Sequence, residues 1–183
     1  MCMLESLHAL LLPPVRDPEI ISTTDYITMY VTSLDLSKAA LRPVGVSRLV
    51  SSLPSLLSLK TLILHKCNVG TEGAASLAPS IACLKDLQCL DLGKNNIGSA
   101  GFAALAPTLE GLTYLNSLDL SGNELGSVGA VYLSESLLHL VKLKSLNLMN
   151  NGLADAGIIA LAKPLGKLKH LQVLHSAADL KIK

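Results

Sequence analysis

The stretch LDLGKNNIGSAGFAALAP, residues 90–107, decides the fold of this chain. It passes from an alternating apolar segment through a glycine-rich loop into a segment with helical apolar spacing. A strand, a glycine-rich loop and a helix N-terminus in that order can bind a phosphate. Gly93 and Gly98 have the spacing of a P-loop, but Ser99 and Ala100 stand where that motif requires Lys and then Ser or Thr. This mismatch weakens a nucleotide-binding interpretation. Whether the loop is a nucleotide site depends on whether the rest of the chain supports it.

The same pattern recurs with a period of 28 residues from Val31 to Leu174. Its strand half has the frame L-x-x-L-x-L-x-x-N-x-L, filled in the quoted stretch by Leu87, Leu90, Leu92, Asn95 and Ile97. Its helix half contains the equivalent glycines Gly45, Gly73, Gly101, Gly129 and Gly157. A phosphate loop is unique in its protein, whereas this loop is repeated, so the pattern does not predict a nucleotide site. Each unit reads as a strand followed by a one-sided helix, which buries its apolar face only against neighbouring units.

These residues resemble the leucine-rich repeat family, and the repeat length resembles its ribonuclease-inhibitor-like subtype. The resemblance implies an α/β fold, a right-handed solenoid with a concave parallel sheet of about six short strands and convex helices. It divides the chain into an N-terminal helical cap at 1–30, about five full repeats and one partial repeat at 31–174, and a degenerate C-terminal end at 175–183. Curvature follows independently, because strands stack ~4.8 Å apart whereas helices need ~8–10 Å.

Composition narrows the class of protein. The net charge is +1, so no overall field favours nucleic acid or a membrane surface. No apolar run is long enough to span a bilayer, the first residues lack the pattern of a signal peptide, and the four cysteines form no C-x-x-C pair. These features predict an intracellular, cytoplasmic protein, with an organelle left open. The charge is uneven, since seven lysines and only two aspartates lie from Lys142 onward.

The repeat register argues against catalytic and metal sites. His65 and Cys89 lie four strand residues apart in register, ~13 Å along the strand direction, which is too far for one metal ion. Asp91 and Asp119 should lie ~5 Å apart, as the carboxylates of a retaining glycosidase do, but an open sheet offers no pocket around them. We therefore predict no enzyme activity, no metal site and no cofactor.

Several positions have structural predictions. Asn95, Asn123 and Asn151 should form a buried ladder that satisfies backbone groups, with Cys67 on the first rung. The residues before each helix, Thr71, Ser99, Ser127 and Asp155, should cap it, and the glycine two residues later should permit close packing between repeats. Pro79 and Pro107 should end or kink their helices. At the unfinished last repeat, four leucines should lack a covering helix: Leu161, Leu165, Leu168 and Leu171.

The predicted function is a non-catalytic protein-interaction module, such as a scaffold, an adaptor or a small subunit of a larger assembly. The alternative is a regulator of a small GTPase or a nuclease, which the resemblance implies through Ran GTPase-activating proteins and ribonuclease inhibitors. The predicted binding residues on the concave face are Asp35, Ile63, His65, Asp91, Asp119, Asn147, Met149 and His175. Those at the C-terminal end are Lys163, Lys167, Lys169, Lys181 and Lys183. The lysines favour an acidic protein surface as partner, with a nucleic-acid backbone less favoured and no small-molecule substrate expected.

Overall fold

The computed structural model describes residues 30–41 and 43–176, and in it six short parallel strands alternate with helices. Residues 1–29 of the predicted cap lie outside the described residues. The strands are β1 (Ser33–Asp35), β2 (Thr61–Ile63), β3 (Cys89–Asp91), β4 (Ser117–Asp119), β5 (Ser145–Asn147) and β6 (Val173–His175). The helices are α1 (Pro43–Ser52), α2 (Gly70–Ala82), α3 (Gly98–Glu110), α4 (Gly126–Leu137) and α5 (Ala154–Leu165), with a 3₁₀ turn at Leu53–Ser55. The predicted α/β solenoid is confirmed.

The sheet follows the chain order from β1 to β6, and each residue pairs with its equivalent one repeat later, as Leu90 does with Leu62 and Leu118. The central leucine of each strand points into the core, and its two neighbours point to the opposite, concave face. Leu62, Leu90 and Leu118 are at most 1% exposed. Since consecutive residues of a strand face opposite sides, this burial fixes which residues a partner can reach. None of the described helices is long and apolar enough to cross a membrane.

The asparagine ladder is present and connects the repeats. Asn123 Oδ1 accepts hydrogen bonds from the backbone N–H of Asn95 (3.0 Å) and Ile97 (3.4 Å). Its Nδ2 donates to the carbonyl of Leu92 (2.8 Å) in the preceding repeat. Asn95 and Asn151 make the equivalent bonds. On the first rung the Cys67 thiol donates to the Leu36 carbonyl at 2.9 Å.

The capping prediction is wrong. The three helices with a hydroxyl at this position begin one residue before it, at Gly70, Gly98 and Gly126, and none has a side-chain cap. Thr71 Oγ1 instead donates to the carbonyl of Ile97 at 2.9 Å. Ser127 Oγ makes the equivalent bond to Leu153 at 2.7 Å. These hydroxyls join one repeat to the next, because the left-handed glycine before them has already turned the chain into the helix.

The prolines do not end their helices either. Pro79 lies inside α2, which continues to Ala82, and Pro107 lies inside α3, which continues to Glu110. Both rings are exposed and lie in the last turn or so of the helix, so the lost backbone hydrogen bond falls near the end of the helix and not in its middle. Packing of the two helices against each other holds them in shape through the proline.

The glycine prediction is correct at two of the four repeats for which it is made. A side chain at Gly101 would lie 2.9 Å from the Cα of Thr71, and one at Gly157 would lie 3.0 Å from Ala130 Cβ, so both glycines permit close approach of the preceding repeat. At Gly45 and Gly129 the nearest atoms belong to leucine side chains of the same repeat. Gly73 is also nearest to a residue of its own repeat, Val69.

The prediction of an uncovered C-terminal end is largely wrong. Leu161 is fully buried, Leu165 and Leu168 are each 6% exposed, and Leu171 is half-buried. Their side chains join the core because α5 packs against α4, so the last helix covers its own apolar side. The apolar exposure that remains on the last described strand is Val173, at 41%.

Candidate functional site

The concave face carries one row of side chains at equivalent positions of the six strands. Across the sheet this row contains Asp35, Ile63, Asp91, Asp119, Asn147 and His175, in that order. All six side chains are half-buried or exposed, as the repeat register predicts. His65 and Met149 lie two residues further along their chains and reach the same face, with Met149 42% exposed. The structure therefore brings the eight predicted concave residues onto one surface.

Local hydrogen bonds hold the aspartates of this row in fixed orientations. Asp91 Oδ1 accepts from the backbone N–H of Gly93 at 2.8 Å. Asp119 Oδ1 accepts from the N–H of Ser121 at 2.8 Å and from its hydroxyl at 2.6 Å. The amide of Asn147 donates to Asp119 Oδ2 at 2.8 Å. A surface whose side chains are already ordered loses less conformational entropy when it binds a partner.

His65 pairs with Asp91, a contact that the sequence analysis missed. The distance from His65 Nδ1 to Asp91 Oδ1 is 3.3 Å. Room for the imidazole exists because the residue beside it in the next repeat is Gly93, where a side chain would lie 2.7 Å from His65 Nδ1 and 3.1 Å from Asp91 Oδ1. The signal was available in the sequence, since the register already placed His65 beside a glycine.

Two titratable groups of this face, Asp35 and Cys89, have pKa values shifted by local causes. The Ser37 hydroxyl and backbone N–H lower the pKa of Asp35, so these contacts stabilise the fold above the ordinary carboxyl pKa and are lost as the pH falls. Burial raises the pKa of two thiols, that of Cys89 on the concave face and that of the buried Cys67, so both thiols favour the protonated form. Among residues 30–41 and 43–176, no three His, Cys, Asp or Glu side chains are grouped to hold a metal ion.

The predicted lysine-rich end is distributed over two elements. Lys163 lies on the outer face of α5, whereas Lys167 and Lys169 lie in the loop that leads to β6. All three side chains are exposed, and none forms an ion pair with a described residue. Lys181 and Lys183 lie outside the described residues.

The outer face of the helices carries exposed apolar side chains that the sequence analysis did not single out. Val128, Val131 and Tyr132 lie on α4 and are 58%, 48% and 39% exposed, and Ile159 on α5 is 73% exposed. The signal in the sequence was the apolar residue at helix positions between the buried leucines, where a one-sided helix normally carries a polar one.

Comparisons with known proteins agree with this architecture. A family model described as Leucine Rich repeat matches residues 55–78, 84–106, 111–134 and 139–162, together just over half of the chain. Among the 45 solved chains that match the fold is one described as leiomodin-1 actin-binding site 2. It has a TM-score of 0.60 and 14% sequence identity, and the match covers 76% of this chain and 82% of that one. No curated protein sequence matches this chain.

Proposed function

Since this chain belongs to the leucine-rich repeat family, whose members generally bind other proteins without catalysis, we propose that it is a non-catalytic protein-interaction module. In this proposal it serves as a scaffold, an adaptor or a small subunit of a larger assembly. The observation that carries the proposal is the concave row, where six in-register strands present accessible side chains from one sheet. The 28-residue repeat with a full helix further supports assignment to the ribonuclease-inhibitor-like subtype. We also propose that the protein is located in the cytoplasm.

The concave row offers a partner both anchors and acceptors. Ile63 in the row and Met149 beside it on the same face are apolar side chains large enough to fill a pocket on a partner. The outer oxygens, Oδ2 of Asp35 and Asp91, accept no hydrogen bond from a described residue, so they are available to donors of the partner. Six strands at ~4.8 Å span only ~29 Å, so with strands this short the concave face offers only about 500 Å². A standard interface requires ~800 Å² per partner.

The C-terminal lysines supply the additional surface. Lys167 and Lys169 are exposed and lie at the edge of the sheet, beside the last described strand. An acidic protein surface at this edge would gain favourable long-range attraction and a faster association rate. We propose that one partner contacts both the concave row and this lysine-rich loop.

The decisive experiment is affinity purification of the full chain with mass spectrometry, repeated with variants. Ile63→Asp and Met149→Asp should remove the specific partners, because a charge replaces an anchor at the centre of the interface. Val44→Asp is the matched control, since Val44 is 67% exposed on α1 and lies on the opposite face. Equal recovery of partners by all three variants would contradict the proposal.

A second pair of variants tests the lysine-rich loop. Lys167→Glu with Lys169→Glu should slow association and reduce its salt dependence. The control is Lys60→Glu with Lys85→Glu, because Lys85 is the equivalent of Lys169 in an earlier repeat and both control lysines are exposed. Actin is the first defined ligand to test, since the similar leucine-rich repeat structure is an actin-binding site.

A further inference from the structure

The outer face of the last three helices is almost uncharged. Among the exposed residues of α3, α4 and α5, only Glu135, Asp155 and Lys163 carry a charge. The exposed residues of α3 are small and apolar: Ala100, Ala104 and Pro107. Beside them lie the four large side chains of the outer patch, which we define as Val128, Val131, Tyr132 and Ile159. An outward helix face in contact with water ordinarily carries polar side chains, so this patch has the character of an interface.

The size of the outer patch is suited to association. Its large side chains and the adjoining alanines present roughly 400–600 Å² of apolar surface, the upper range for a monomer. A stable interface takes ~800 Å² from each partner, with an apolar centre and a polar rim. The outer patch therefore supplies the centre of such an interface, and the three charged residues around it supply part of the rim.

The charges on α5 are arranged so that the helix complements itself. Asp155, Ile159 and Lys163 follow one another at intervals of four residues, so they lie along one side of the helix. All three are exposed, with the aspartate in the first turn and the lysine in the last. Rotation by 180° about an axis through Ile159 and perpendicular to α5 places Asp155 of one copy opposite Lys163 of the other. The exposed alanines Ala156 and Ala162 allow the two helices to approach closely.

We propose that the outer patch binds a second copy of this chain, with two α5 helices packed antiparallel about a twofold axis at Ile159. Each dimer then contains two Asp155–Lys163 pairs and an Ile159–Ile159 contact at its centre. An isologous interface requires such self-complementarity, because the same surface is used by both copies. When one residue contacts a second residue of the other copy, that second residue of the first copy contacts the first residue of the other. The lysine-rich loop does not meet this requirement, because a twofold axis there would bring like charges together.

Analytical ultracentrifugation of the full chain over a range of concentrations tests the proposal. The wild-type chain should dimerise, and Ile159→Asp should shift it to monomer, because two carboxylates would be buried at the axis. Val44→Asp is the matched control, as an apolar side chain of similar exposure on α1, and should dimerise like the wild type. A wild-type chain that remains monomeric at the highest soluble concentration would overturn the proposal.

A charge-reversal experiment tests the orientation of the dimer. Asp155→Lys alone and Lys163→Asp alone should each weaken dimerisation by about tenfold or more, since every cross-axis pair becomes a like-charge pair. An equimolar mixture of the two variants should form a heterodimer about as tight as the wild-type dimer, because both pairs are then opposite in charge. Circular dichroism confirms that each variant is folded. A mixture that associates no better than either variant alone would refute the twofold arrangement.

This dimer is independent of the proposed partner binding. Ile63→Asp and the double change at Lys167 and Lys169 leave the outer patch intact, so they should dimerise normally even where they lose other partners. Ile159→Asp should retain those partners as a monomer. The two proposals can therefore fail separately.

Discussion

Replacement of Asn123 by alanine tests the structural role of the ladder most directly. The side chain is fully buried and makes five hydrogen bonds to backbone groups of its own and the preceding repeat. Alanine removes all five and cannot replace any of them. The cost depends on which backbone groups are then left without a partner.

The structure identifies those groups. The carbonyl of Leu92 still accepts from Asn95 Nδ2 at 2.9 Å, and the carbonyl of Leu120 still accepts from Asn151 Nδ2 at 2.9 Å. The backbone N–H of Asn95 loses its 3.0 Å acceptor, and that of Ile97 loses a weaker one at 3.4 Å. One buried donor left unpaired costs ~1–3 kcal/mol, so together we expect a loss of about 2–3 kcal/mol.

Thermal and urea unfolding of the full chain, followed by circular dichroism, measure this loss. For a protein of this size the loss corresponds to a fall in Tm of about 4–12 °C. Asn116→Ala is the matched control, because Asn116 is half-buried and its side chain forms no hydrogen bond with a described residue, so its change should cost less than about 0.5 kcal/mol. Equal losses from the two variants would show that the ladder does not stabilise the fold.

Three further predictions concern the backbone and the thiols. Ala154 begins α5 with a φ of 49°, whereas the three preceding helices begin with a left-handed glycine. Ala154→Gly should therefore raise the free energy of unfolding by about 1 kcal/mol in urea titrations. A loss of stability would contradict this interpretation. Gly101→Ala should lower the free energy of unfolding by about 1–3 kcal/mol, because the new side chain would meet the Thr71 backbone. Gly45→Ala should be neutral or stabilising, because its side chain would meet only the end of a leucine side chain. The same urea titrations compare the two variants. Among the three cysteines that the structure describes, Cys83 should react first in alkylation followed by peptide mass mapping near neutral pH, because it is exposed. Cys67 should react only on unfolding, because it is buried and burial raises its pKa; simultaneous labelling of both would refute this.

Most of the solenoid could be predicted because the repeated apolar positions indicate which side of each strand and helix is buried. Leucines two residues apart in and after β3, at Leu90 and Leu92, specify one apolar side for the strand. Phe102, Leu105 and Leu109, three to four residues apart, do the same for α3, and the 28-residue period aligns those sides. The same register placed Asn123 behind the strands and Asp119 on the concave face, which the structure shows. These features depend on local spacing, which the sequence states explicitly.

Apart from the asparagine ladder, the contacts between repeats were not determined by this spacing. The hydroxyl of Thr71 was predicted to bond within its own turn, but its acceptor, the carbonyl of Ile97, lies 26 residues later in the chain. Pro79 was expected to stop its helix from its own chemistry alone, whereas packing against the next helix carries α2 past it. His65 and Asp91 meet only because Gly93 leaves space between two strands.

The sequence by itself determined the period, the order of strand and helix, the side of each element that is buried, and hence the residues available on the concave face. Only the tertiary structure decided which polar groups pair between repeats, that the last helix covers its own leucines, and that Asp155, Ile159 and Lys163 stand exposed along one line of the outer surface. The physical reason is the separation along the chain of the residues that interact. Periodicity records which side of an element faces away from water, but a hydrogen bond or a surface patch joins residues from different repeats, and its geometry exists only after the repeats have stacked.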